Sequence, residues 1–229
     1  MWEMYRNDFR YDAPIGRDRF CRIICENNLK VRLLIRKPRT TDSSHGLPVY
    51  PNLVKSYIPT APNQLWVSDI TYIDTLDGCC YLHLVTDAYS RKIVGWCLSE
   101  TLHAAHTVKA LRMAIDATGK STLEGLVHHS DRGVQYCCDE YVNMLMDYHI
   151  RISMTEDYNP TDNAIAERVN GTLKTEVIYR EQRFVGFTDA ERRIASFIDF
   201  YNDKRPHSSI GMKVPSQAHQ ESGEQRKCW

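Results

Sequence analysis

Three carboxylates and one ammonium, widely separated along the chain, invite a chemical reading: Asp69, Asp131, Glu167 and Lys174. Asp69 lies within "QLWVSDITYI", where strand alternation puts it on the same face as Leu65 and Val67. Aspartate is disfavoured inside strands and is rarely buried alone, so this position calls for a compensating partner. Asp131 closes a short apolar stretch in "HHSDRG". A carboxylate at the carboxyl end of a strand opens toward a crevice, and it equally suits a turn or cap. Glu167 belongs to "PTDNAIAERVNGTLKTEV", which reads as a capped helix. Counting about 100° per residue from Ile165, the apolar Val169, Leu173 and Val177 fall at about 40°, 80° and 120°. Glu167 and Lys174 fall at about 200° and 180°, with Asn163, Asn170 and Gly171 near them. That polar face is either a solvated surface or one wall of an active site.

The elements that must position these groups follow from the hydrophobic pattern. "QLWVSDITYI", "CCYLHLVTDAY" and "KIVGWCLS" read as three strands joined by short turns, an antiparallel meander. "AAHTVKALRMAIDAT" (104–118) has helical spacing and ends at Gly119. A strand in 125–130, a helix in "DEYVNMLMDYHI", a fifth strand "RISMT", the Glu167 helix and a last helix over 189–202 complete the core. Strands followed by alternating helices and strands predict a mixed α/β sheet covered by helices. Before it, residues 16–36 carry a small helical element, and residues 37–52, rich in Pro, Ser, Thr and Gly, read as a linker without a core of its own.

Composition narrows the function classes. The chain has 229 residues, 42% apolar and 25% charged, enough for a main domain of about 150 residues with a smaller appendage. No apolar run approaches the ~20 residues of a membrane-spanning helix, and the amino end lacks the features of a secretory signal, so a cytoplasmic protein is expected. The eight cysteines show no C-x-x-C spacing and read as reduced, mostly buried thiols. His128, His129 and His207 read as packing or phosphate-contacting residues. Net charge is zero but unevenly divided: residues 1–60 hold 11 Lys+Arg against 6 Asp+Glu, leaving 18 against 23 for the remainder. "KVRLLIRKPR", which contains Arg36 and Lys37, places five basic residues in ten, a patch able to track phosphates or a solvated helix face.

Taken together, the motifs resemble one family. Thirty-five residues separate Asp131 from Glu167, and Lys174 follows seven positions later. This pattern resembles the catalytic core of DDE transposases and retroviral-type integrases. The resemblance is closest to the larger open-reading-frame product (OrfB) of two-frame bacterial insertion sequences. "PNQLWVSDITYI", "LVTDAYSRKIVGW", "HHSDRGVQY", "NAIAERVNGTLKTE" and "YNDKRPHSSIG" resemble its successive motifs in order.

The resemblance implies a ribonuclease-H-like fold that cuts and joins DNA by two-metal phosphoryl transfer. Hard oxygen ligands suit Mg²⁺, for which Mn²⁺ can substitute, and two ions about 4 Å apart would be held by Asp69, Asp131 and Glu167. Metal-free, the converging carboxylates would repel and raise each other's pKa. Water would be the first nucleophile and a freed 3′-hydroxyl the second. Lys174, Asn163, Arg168, Arg36 and Lys37 are the expected DNA contacts, with Asn163 also placed to steady the site. Gly171 would be small because DNA passes close by. The implied partners are element ends and target DNA, a further copy of the chain, and a possible upstream-frame (OrfA) product or fusion. The implied organisation is a partial helix-turn-helix-like DNA-binding region over 1–40, a linker over 41–58, an integrase catalytic core over 59–222 and a tail over 223–229. Relatives usually carry a fuller amino-terminal region, which raises the possibility of a truncated copy. Two alternatives share these residues: an inactive DNA-binding relative, and a ribonuclease-H-type nuclease acting on RNA–DNA hybrids.

Overall fold

A computed structural model of the chain describes residues 2–8, 15–27, 29, 45–156, 163–178 and 183–225. Its centre is a five-stranded mixed sheet built from β1 (Leu65–Asp74), β2 (Cys79–Asp87), β3 (Ile93–Ser99), β4 (Val127–Ser130) and β5 (Arg151–Met154). The strand order is β3-β2-β1-β4-β5. The first three strands form the expected antiparallel meander, and β4 and β5 add in parallel to the β1 edge. The mixed sheet flanked by helices predicted from the sequence is therefore the architecture that forms.

Strand alternation divides the core into layers. Trp66 and Val85 join a cluster with α3 (Ala104–Thr118), α4 (Val134–Cys137) and α5 (Asp139–Asp147) on one face. Close approach of α3 to the sheet depends on Gly95, where an added Cβ would lie 2.1 Å from the Ala110 carbonyl oxygen. The helix ends at Gly119, whose left-handed φ of 64° suits a residue without a Cβ. On the opposite face Ile73, Leu82 and Leu84 pack against α6 (Ala164–Leu173) and α7 (Phe187–Asp203). Leu65, Val67 and Val127 meet Ala166 of α6 in a smaller cluster.

Several elements depart from the sequence reading. A short helix, α1 (Trp2–Asp8), precedes α2 (Arg17–Glu26), where no helix was expected. Trp2, Tyr5 and Phe20 stack with centroids 5.0–5.6 Å apart, so the signal was an aromatic cluster between two helices too short for a periodic stripe. Parts of 45–58 pack on the core: the Leu53 N–H donates to Ser153 Oγ at 2.9 Å, and Leu53 and Val54 pack beside Leu65, whereas Ile58 is exposed. After α7 come a 3₁₀ turn, Ser208–Ile210, and α8 (Pro215–Ala218). Among the seven described cysteines, all free thiols, Cys80 and Cys137 are buried, whereas Cys21, Cys25 and Cys79 are exposed; the expectation of mostly buried thiols does not hold. Among the described residues no helix is long and apolar enough to cross a membrane.

Candidate active site

Asp69 and Asp131 are brought together by strand register. Parallel pairing of β1 with β4 aligns Leu65 with Val127 and Val67 with His129. Asp69 lies two residues past Val67 and Asp131 two past His129, just beyond the end of β4, so the register carries the two carboxylates to the same end of neighbouring strands, near enough for the Asp131 charge to act on Asp69. Their face is the one covered by α6, and Asp69 falls between the Leu65–Val67–Ala166 cluster and the Ile73–Val169–Leu173 cluster. A carboxylate thus occupies a gap between two apolar contacts of one helix.

The electrostatics record this placement. Asp69 retains partial solvent contact, but desolvation by burial, and then the charge of Asp131, push its carboxyl from 3.8 up to about 7. Two hydrogen bonds oppose the rise: the Ile70 N–H donates to Oδ1 at 2.9 Å and Asn170 Nδ2 donates to Oδ2 at 2.6 Å. Glu167, on the exposed face of α6, adds the smallest upward contribution. Asp131 Oδ1 accepts the Gly133 N–H at 2.9 Å, so the turn role and the site role belong to the same residue.

The residue before Asp69 is tied from both faces of the sheet. Ser68 Oγ lies 2.7 Å from His128 Nε2, which in turn lies 2.8 Å from the Tyr141 hydroxyl. On the α6 side, Asn163 Nδ2 donates to the Ser68 carbonyl at 3.0 Å. His128 is buried and held neutral, its pKa lowered to about 3 first by desolvation and then by His129. His129 is also buried, with Nδ1 2.9 Å from Ser153 Oγ. Of the two readings open for these histidines, packing is the one the structure gives, and they fix where Asp69 stands.

Three sequence expectations on α6 change. Asn163 has φ −122° and ψ 32°, outside the helix, so counting 100° per residue does not apply to it. It is 8% exposed, and its amide donates inward to the Ser68 carbonyl. Asn170, read as part of the polar face, is buried, because the docking stripe is centred on Ala166, Val169, Asn170 and Leu173 while Ile165 is only partly covered. Beyond Leu173 the helix widens into a π turn, Lys174–Ile178. Thr175 Oγ1 donates to the carbonyls of Gly171 and Thr172 at 2.8 and 3.0 Å, competing with the α-helical ladder there. Lys174 therefore heads the π turn as a half-buried residue rather than continuing the α-helical face. Arg168 is exposed on α6, and a Cβ built at Gly171 meets nothing within 4 Å. Arg36 and Lys37 lie outside the described residues.

Tyr136 was not singled out from the sequence. It is buried, its hydroxyl has no hydrogen-bond partner among the described residues, and its ionisation is pushed well up by desolvation and then by Asp131 and Asp69. Its only sequence signal was a tyrosine five residues after Asp131. A buried hydroxyl without a partner carries a desolvation cost of about 1–3 kcal/mol. Tyr136→Phe should therefore raise the stability of the metal-free protein by about 1 kcal/mol in urea unfolding; a loss of stability would show that the hydroxyl is bonded in solution.

The donor set is one of hard oxygens. The charges of Asp131 and Glu167 both act on Asp69, and the buried Oδ1 atoms of Asn163 and Asn170 lack partners among the described residues. Such a set fits a hard divalent cation better than a soft one. The three side chains do not form a closed ligand set: among the described residues no trio of His, Cys, Asp or Glu is gathered closely enough to hold a metal ion.

Comparison with known proteins places this chain in a family. Two models, each described as an integrase core domain, match residues 59–160 and 148–215. The 31 kDa protein of insertion element IS600 from Shigella sonnei is 39% identical over 204 residues, 88% of this chain and 74% of its own. The transposase for insertion sequence element IS629, also from Shigella sonnei, is 30% identical over 94% of this chain and 72% of its own. The putative transposase of IS986/IS6110 from Mycobacterium tuberculosis is 36% identical, and this chain spans 58% of its length. Among solved structures, an integrase-bearing assembly, the simian T-cell lymphotropic virus intasome in complex with PP2A regulatory subunit B56 gamma, superposes with a TM-score of 0.60 at 21% identity, covering 82% of this chain and 65% of that one. The HTLV-2 integrase catalytic core domain in complex with magnesium gives 0.54 at 20% identity, covering 69% and 97%. These two likenesses establish the ribonuclease-H-like fold. With relatives this similar along most of their length, and the integrase-core models spanning the sheet and its helices, the chain belongs to the integrase-core family of insertion-sequence transposases.

Proposed function

We propose that this chain cuts DNA at the ends of its insertion sequence and joins them to target DNA by phosphoryl transfer, with Asp69, Asp131 and Glu167 as the acids that hold two divalent cations. The observation that carries this reading is the approach of Asp131 to a buried Asp69: desolvation by burial, and then the charge of Asp131, push the Asp69 carboxyl to about 7. Two like charges set side by side under a helix destabilise the protein unless a cation compensates them. Mg²⁺ suits the oxygen donors, with Mn²⁺ as a substitute; when bound, such ions activate the attacking oxygen and stabilise the leaving one.

The remaining work falls to the chain's own residues. Asn170 and the Ile70 N–H orient the Asp69 carboxylate by donating to its two oxygens. Asn163, Ser68, His128 and Tyr141 hold the strand that carries it. The Gly133 N–H fixes Asp131 at the end of β4. Glu167 closes the site from α6, and Lys174, on a long stem at the π turn, contacts a phosphate near the cut. Gly171 leaves room for the strand. The partners are the element ends, the target duplex, a second copy of the chain to bridge two ends and the upstream-frame product; the setting is the bacterial cytoplasm.

The test is incubation of the purified chain, with and without the upstream-frame product, with duplex DNA carrying the element's ends. Nicked and joined strands that require Mg²⁺ or Mn²⁺ are expected. DNA binding with no broken strand under either ion would leave only a DNA-binding relative, and cleavage confined to RNA–DNA hybrids would make it a nuclease of that kind.

A further inference from the structure

Three arginines from separate stretches of the chain converge on another flank of α6. Arg91 lies in the turn between β2 and β3, Arg168 on α6, and Arg205 just beyond α7. All three interact electrostatically with Tyr201 and with His207. Arg168 sits about 160° around the helix from Asn170, the residue that holds Asp69, and about 100° from Glu167, so this cluster lies on a different flank of the helix from the Asp69 contact.

The arrangement is built. Arg91 adopts a left-handed backbone, φ 66°, uncommon for a residue other than glycine. Its Nη1 donates to the Ala88 carbonyl at 2.5 Å and its Nε to Ser209 Oγ at 3.3 Å. Arg205 donates from Nε and Nη2 to Glu176 at 2.7–3.1 Å, and its Nη1 lies 3.2 Å from His207 Nε2. His207 packs edge-on against Tyr201 with centroids 4.6 Å apart. Arg168 is exposed and has no carboxylate or hydrogen-bond partner for its guanidinium among the described residues.

Among the described residues the charges do not cancel: two carboxylates reach the cluster, Glu176 and Asp87, against three guanidiniums. Asp87 is already committed to the Asn63 N–H, the Ser90 N–H and the Ser90 hydroxyl at 2.7–2.8 Å. His207 is kept neutral, near 3, by burial and then by Arg205, Arg91 and Arg168. Like charges held together from distant parts of a chain mark a place for a ligand of opposite charge, as the two aspartates do.

We propose that Arg168, with Arg91 and Arg205, forms a second anion site that takes a backbone phosphate of duplex DNA on the flank of α6 away from Asp69. The forked guanidinium of Arg168 suits a phosphodiester, and the other two arginines supply the field. This site rests on the reading that the chain acts on DNA, and it makes α6 a divider between the strand at the carboxylates and a phosphate held elsewhere on the duplex.

The experiment is fluorescence anisotropy with a labelled duplex, without divalent metal, at a series of salt concentrations, for the full chain and for Arg168→Gln and Arg168→Lys. Arg168→Gln should weaken binding about tenfold and flatten the log–log salt slope by about one phosphate, and Arg168→Lys should restore the slope but only part of the affinity. Because the Arg168 guanidinium has no hydrogen-bond or carboxylate partner among the described residues, the variant's melting temperature should match that of the parent. Unchanged affinity and slope in Arg168→Gln, with the parent binding normally, would overturn the second site alone. A parent chain that binds no duplex would overturn the DNA-acting reading and this site with it.

Discussion

Asp69→Asn should stabilise the metal-free protein by up to about 4 kcal/mol at pH 8 and by almost nothing at pH 4. The size follows from raising a carboxyl from 3.8 to about 7, at about 1.4 kcal/mol per pH unit. The sign follows from which state binds the proton. Below 3.8 the carboxyl is protonated folded or unfolded, and Asp69 costs nothing. Between 3.8 and about 7 the folded state keeps a proton that the unfolded state releases, so stability falls as pH rises. Above about 7 both states are ionised and the full cost is present. Urea unfolding in a chelator across this range should show the parent losing stability while the variant stays level in comparison. Parallel curves for the two proteins would contradict the placement of Asp69. Mg²⁺ should restore the parent at pH 8 and do little at pH 5, where protons compete for the same oxygens.

The second large effect concerns activity. Asp131→Asn and Glu167→Gln should each reduce strand cleavage and joining by at least about 10³-fold, because losing a metal contact withdraws several kcal/mol from the transition state. Their effects on the metal-free protein should differ. Asp131 is the largest charge acting on Asp69, so its removal should lower the pH range over which stability is lost. Glu167 contributes least, and its removal should leave that range nearly unchanged. The double variant should be no slower than either single one, since the acids act as a unit. Activity within tenfold of the parent in Asp131→Asn would remove it from the metal site.

Much of this architecture was legible in the sequence because periodicity reports burial directly. Alternation in "QLWVSDITYI" placed Asp69 on the face of Leu65 and Val67, and α3 runs over the same residues as its helical pattern, 104–118. The partnership of Asp69 with Asp131 was not available from local pattern, since parallel pairing joins strands separated by a whole meander and a helix. The wheel for α6 failed at both ends, where the backbone stops being an α-helix: Asn163 precedes it and Lys174 begins the π turn. Asn170 was misplaced because its amide looked like a solvated group, whereas it is spent on a carboxylate from another element. Arg91, Arg205 and Tyr136 escaped notice for one reason. Each draws its meaning from charges brought near by the tertiary fold, and nothing in their own neighbourhoods signals it.

The role proposed for the three acids is to bring a divalent cation to the phosphate that is cut. A duplex carrying the element's end, with one non-bridging oxygen of the scissile phosphate replaced by sulfur, tests this most directly. Sulfur binds Mg²⁺ poorly and Mn²⁺ better, so cleavage should be strongly slowed in Mg²⁺ and recovered in Mn²⁺. Equal rates for oxygen and sulfur in both ions, for both sulfur stereoisomers, would contradict it.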